Sequence, residues 1–207
     1  MKKNICKIAD VALRLTIIVI ALIKVICKNY DGLGILLVTF ILSFYDAILK
    51  NVFKLELSNI SKIMITIFIF LAQILGSILH FYDRIVLWDI ILHFLSGILM
   101  FLIGLEVYHN ICKNSKKIDN PILKVGFAIC FAFAIGNIWE IIEFCIDGVF
   151  GADMQKTGEL VGRYAIIDTM SDLISSSVGT LICFVLYLIK HRLIERKDLN
   201  GKRRKEM

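Results

Sequence analysis

Six apolar stretches, each near the roughly 20 residues that a helix needs to cross a bilayer, occupy most of this chain at about 9–27, 33–49, 62–82, 85–107, 122–147 and 167–189. A soluble domain is about half apolar, whereas this chain is 58% hydrophobic over 207 residues with a mean hydropathy of +0.78. The reading is all-α: a polytopic membrane helix bundle of about six transmembrane helices. Residues 1–190 form a single transmembrane domain and 191–207 a basic tail. The first stretch follows Lys2, Lys3 and Lys7 as a signal peptide would, but it is longer than such a segment, carries Arg14 and Lys24, and lacks a small-residue cleavage site. We read it as an uncleaved helix.

Basic residues orient the bundle. The N-terminus, second and fourth loops and tail carry 18 Lys and Arg, against four on the other side, namely Lys28, Arg84, Lys156 and Arg163. The positive-inside rule then makes both termini cytoplasmic, as an even helix count requires. The formal charge of +6 needs no nucleic acid, because the basic tail lies where anionic lipid headgroups would meet it. Six cysteines are scattered without a CxxC pair and read as small apolar residues. Pro121 marks the start of the fifth helix, since the first helical turn has no use for its missing N–H.

With that orientation, the ionisable residues of the later helices fall at one depth, near the outer surface. The fourth helix enters with Asp89 and His93, the fifth leaves past Glu140 and Glu143, and the sixth enters with Asp168 and Asp172. Spacings of three or four put each pair on one helix face. Paired carboxylates in low dielectric repel and call for a cation between them. Five carboxylates and one imidazole therefore point to a divalent metal, with Mg²⁺ or Mn²⁺ suited to the carboxylates and Zn²⁺ admitted by the histidine. Glu140 and His93 are the candidates for proton transfer.

Other readings of these residues stand beside that one. Asp168 with Thr169 and Asp172 also fits a helix-capping box. Trp88, Trp139, Tyr82 and Tyr164 fit an interfacial aromatic belt. Asp83, Asp147 and His80 read as wet helix ends, and Asp46 as solvated near the cytoplasmic end of the second helix. Ser171, Ser175 and Gly179 on the sixth helix, and Ser96, Gly97 and Gly104 on the fourth, are small enough for close helix packing. The loop from Gly148 to Tyr164 is long for a connection and lies over the cluster, which fits a lid or recognition segment and equally a merely flexible outer loop.

The chain resembles a family of uncharacterised bacterial inner-membrane proteins of the YjdF type. The matching features are His93-Phe94 with Gly97 after an Asp, the Trp-Glu-x-x-Glu-Phe run at 139–144, and a Gln-containing loop followed by Asp-Thr-x-x-Asp at 168–172. The likeness covers roughly residues 60–185. It departs in the loop, where Gln155-Lys156-Thr157-Gly158-Glu159 replaces a more acidic Gln-Gly-Asp stretch. The resemblance implies a bacterial inner-membrane location and this motif set, and names no reaction. Three functional classes follow from the residues: a metal-dependent enzyme acting on a lipid-linked or phosphorylated substrate, a cation- or proton-coupled transporter or channel, and a non-catalytic assembly subunit.

Overall fold

The computed structural model describes residues 2–115, 120–156, 163 and 166–205; side chains 2–4, 114 and 194–205 fall outside the description. The elements are α1 (Lys2–Ile26), α2 (Leu33–Leu42), α3 (Tyr45–Asn51), α4 (Asn59–Ile69), which runs on as a π-helical segment (Phe70–Ile78), α5 (Phe81–Arg84), α6 (Trp88–Asn114), α7 (Pro121–Phe150) and α8 (Ile167–Lys205). Among the described residues there is no strand.

Among the described residues, four helical stretches are long and apolar enough to cross a membrane: Asn59–Ile78, Trp88–Lys113, Pro121–Phe150 and Ile167–Leu193. The pair α2 and α3, bent by 43°, makes a fifth if it is one broken span. Residues 9–27 lie mostly in α1, but Asp10, Arg14 and Lys24 fall within that stretch and α1 does not join the four on length and composition.

Two charges of α1, Arg14 and Asp10, are engaged by neighbouring helices. Arg14 donates to the backbone oxygen of Ser43 at 2.8 Å and to its hydroxyl at 3.2 Å, and lies 4.1 Å over the Phe44 ring. Ser43 sits at the α2–α3 bend, where its hydroxyl also bonds back to Phe40. A bend frees backbone carbonyls, and a guanidinium satisfies them. Asp10 accepts from Thr66 on α4 at 2.7 Å, which ties α1 to that helix as well. Asp46 is paired with Lys62 at 2.7 Å, so it is held more firmly than a solvated end residue.

Two apolar cores result. Leu13, Ile17, Leu36, Ile74 and Ile78 join α1, α2 and the π segment, while Phe101, Leu105, Ala128, Ala132 and Cys183 join α6, α7 and α8. Helices α6 and α8 come together most closely. A Cβ added at Gly97 would lie 1.9 Å from the Ser176 oxygen, and one at Gly179 would lie 2.1 Å from the Phe94 oxygen. Thr180 donates to the Gly97 oxygen and Ser175 to that of Ile90, at 3.2 and 2.7 Å. The expected packing role of Gly97, Gly179 and Ser175 is met, and Gly104 plays the same part against Ala128.

The third apolar stretch ends earlier than its hydropathy implies. The helix stops at Ile78, because His80 takes a left-handed backbone (φ 59°) and starts the short α5. α7 begins at Pro121 as expected, with the Asn120 side chain accepting from the amides of Ile122 and Leu123.

Candidate metal centre

Helix α7 is apolar outside and acidic inside near its C-terminal end. Ile138, Ile141, Ile142 and Phe144 are exposed on the surface of the bundle, whereas Glu140 and Glu143 are only 5% and 6% exposed. Carboxylates facing the interior of a helix bundle, with hydrocarbon on the other face, are costly and mark functional sites.

The acids meet the first turns of α6 and α8, which the Gly97–Gly179 crossing holds together. His93 is 7% exposed and Asp172 1%. The His93 Nε2 lies 3.5 Å from Asp89 and 3.9 Å from Asp172, and its Nδ1 lies 3.7 Å from Glu140. These separations exceed a hydrogen bond. They match the spread of donors that each sit about 2.1 Å from a shared ion. Ligand atoms of Asp89, His93 and Asp172 all fall within 4.8 Å of one another, and so do those of His93, Glu140 and Glu143. Both carboxylate oxygens of Glu140 and of Asp172 are buried with no hydrogen-bond partner. Buried carboxylates in proteins are paired or coordinate metals.

Neighbouring groups fix the rest. Trp139 Nε1 donates to Glu143 at 2.6 Å. Lys156 donates to the Asp89 Oδ2 at 2.9 Å and stands 5.6 Å from the centre of the Tyr82 ring. Burial works against the Lys156 ammonium, but the hydrogen bond and charge of Asp89 outweigh it and hold its pKa above the ordinary lysine value. Burial, reinforced by Asp89, pushes the Tyr82 phenol above the ordinary tyrosine range and keeps it neutral. Tyr82 can lie there because Gly76 has no side chain: a Cβ would come 2.3 Å from the ring.

The segment carrying Lys156 is pinned at both sides. Asp147 accepts from the amides of Met154 and Gln155 at 2.6 and 2.9 Å, and the Gln155 side chain donates to Thr169 at 2.8 Å. Below the cluster, a cavity of about 120 Å³ opens between the α4 and π helix, α6 and α7. Asp89, His93, Tyr82, Gln73, Ser96 and Trp139 line it together with apolar side chains. π-helical turns recur at functional sites, and here the π segment supplies Gln73 to the wall.

Five of the six candidate ligands, Asp89, His93, Glu140, Glu143 and Asp172, thus fall into two groups that share His93. Asp168 is in neither metal-capable group, although its Oδ2 is buried without a partner. The capping-box reading fails for Asp172, whose oxygens accept nothing. Asp168 itself stands inside α8 as its second residue. Trp139 is no mere belt residue, since its Nε1–H donates to Glu143. Asp147 is not a wet helix end but the anchor of the Lys156 segment. His80 pairs with exposed Asp83 at 3.2 Å, apart from the cluster. Within the lid segment, Gly158, Glu159, Gly162 and Tyr164 lie outside the described residues, as do the Lys116 and Lys117 of the basic count.

A family model described as "predicted membrane protein (DUF2238)" matches residues 9–193, nearly the whole chain. The chain belongs to this family. It is also similar to an uncharacterized protein of Thermotoga maritima, 29% identical over 149 residues, which covers 72% of this chain and 71% of that one. No solved structure matches. The protein is accordingly a membrane protein of this family, with a buried His and carboxylate cluster at one end of its apolar helices.

Proposed function

We propose that Asp89, His93 and Asp172 hold a divalent metal ion, and that the protein is a metal-dependent hydrolase of the outer membrane surface acting on a lipid-linked or phosphorylated substrate. The observation that carries this reading is the pair of orphaned carboxylates, Asp172 and Glu140, on opposite sides of the His93 ring. A neutral imidazole offers one lone pair and one N–H, so only one of the two groups around it can share the ion. Asp89 lines the cavity together with His93, whereas Asp172, Glu140 and Glu143 do not, and this favours the Nε2 side. An ion on that side would be held by Asp89, His93 and Asp172, whose ligand atoms lie within 4.8 Å of one another.

Glu140, whose Oε1 lies 3.7 Å from Nδ1, stands where a metal-bound histidine needs an acceptor to hold its tautomer. Its other oxygen is free to accept a proton. Glu143, held by Trp139, keeps negative charge beside it. A bound ion would supply a Lewis acid and lower the pKa of a water. Two carboxylates with one imidazole suit Mn²⁺ or Mg²⁺, with Zn²⁺ as the rival. Asp89 divides its oxygens, one toward His93 and one on Lys156, so Lys156 stands ready beside the reacting position for an anionic group.

We take the His93-Phe94-x-x-Gly97 and Trp-Glu-x-x-Glu-Phe runs as marking the YjdF type, located in the bacterial inner membrane with six spans and cytoplasmic termini. The test is phosphate release from a panel of acyl and prenyl phosphates by Mn²⁺-loaded protein in nanodiscs, with Asp172→Asn as the blank. Release that the blank lacks is expected. Loaded wild type that releases no more than the blank would refute hydrolysis of this class.

A further inference from the structure

We infer that the cavity beneath the centre receives the apolar chain of an anionic amphiphile whose headgroup lies between the metal and Lys156. The inference rests on the metal-centre reading and names the ligand class for it. The cavity has two chemically distinct ends. Toward the cluster it is lined by Asp89, His93, Tyr82 and Trp139; the remainder is mostly Phe68, Ala72, Leu92, Met100, Ala132 and Ile135. A wholly polar substrate would leave that apolar wall in contact with water, and a wholly apolar one would strand Asp89 and His93. An amphiphile satisfies both ends.

Charge selects the sign of the headgroup. Lys156 reaches Asp89 with its ammonium at 2.9 Å, at the edge of the cluster, and a metal on Asp89 and His93 adds positive charge beside it. Size limits the buried part of the chain. The space of about 120 Å³ is somewhat less than the roughly 150 Å³ that takes a benzene ring, which leaves room for about four or five carbons. Longer chains must run on between the helices toward the lipid.

The experiment measures binding of n-alkyl phosphates, from methyl to octyl, to Mn²⁺-loaded full-length protein in nanodiscs, with inorganic phosphate and the matching alcohols as separate arms and protein-free nanodiscs subtracted. Affinity should rise about fourfold per methylene to roughly four or five carbons and then flatten, with the alcohols weaker throughout. Ala132→Leu, which fills the cavity, should move the plateau to shorter chains; Met100→Ala, which enlarges it, should move the plateau to longer ones. Mn²⁺ binding by the same variants reports that the bundle is intact. Lys156→Gln should weaken the phosphates and leave the alcohols as they were. With Mn²⁺ bound, equal affinity for inorganic phosphate and all alkyl phosphates would overturn the chain site alone. Failure to bind Mn²⁺ would remove the metal centre and the inference with it.

Discussion

Asp172 shows most plainly what a single residue does here. Its two oxygens are buried without partners, so its charge is a liability until something positive arrives. Asp172→Asn should therefore weaken Mn²⁺ binding at least tenfold while leaving the thermal midpoint of metal-free protein unchanged or higher, since a buried uncompensated charge is removed. Calorimetric titration and thermal unfolding check the two halves. Trp139→Phe keeps an aromatic ring and deletes the Nε1–H donated to Glu143; outer-shell changes of this kind cost about ten- to a hundredfold in metal affinity, and we expect the lower end because the proposed centre does not use Glu143 as a direct ligand. Lys156 gives a pH statement. Its pKa is raised, so its contribution is complete below the ordinary lysine value near 10.4 and is lost only as the pH rises through the still higher folded value. Wild type and Lys156→Gln should thus share one profile shape of Mn²⁺ affinity between roughly pH 6 and 9, and a step present only in the wild type would contradict it. Spacing alone made Asp89, His93, Glu140 and Glu143 legible as inward-facing pairs. It could not reveal Trp139, because a tryptophan at a membrane interface is ordinary, nor Tyr82 and Gln73, because their approach depends on which helices pack together.

At the scale of elements, the crossing of α6 and α8 sets the geometry of the centre. Gly97 lies one turn from His93, and Gly179 lies two turns from Asp172. Gly97→Ala places a methyl against a backbone oxygen that cannot move aside, and overpacking of this kind costs about 1–3 kcal/mol. We expect that loss in thermal unfolding, together with weakened Mn²⁺ binding. Gly34→Ala is the contrast: a Cβ there meets nothing within 4 Å, and the change should be neutral or stabilising by roughly 0.5 kcal/mol. The small-residue pattern on these helices was legible from four-residue repeats. The early end of the third apolar stretch was not, since hydropathy runs through Ile78 into Leu79 while the break comes from the left-handed backbone at His80. The α2–α3 bend was equally hidden, because it depends on Arg14 from another helix reaching Ser43.

For the molecule as a whole, a membrane-spanning helical bundle was written in the hydropathy from the outset, whereas the span count depends on tertiary partners that composition ignores. Arg14 and Asp10 make α1 look too charged to cross, yet both are engaged by α2 and α4. Six spans with cytoplasmic termini predict that, in a cysteine-free background, a cysteine at Asp83 reacts with an impermeant maleimide added outside intact cells, and one at Lys50 reacts only after the membrane is opened. The reverse pattern would invert the bundle and put the cluster on the cytoplasmic face. The account as a whole turns on the ion. Elemental analysis of protein purified mildly and resupplied with Mg²⁺, Mn²⁺ and Zn²⁺ should find about one divalent ion per chain in the wild type and His80→Ala, and far less in Asp172→Asn and His93→Ala. Wild type that retains none of the three, or variants that bind as the wild type does, would contradict it.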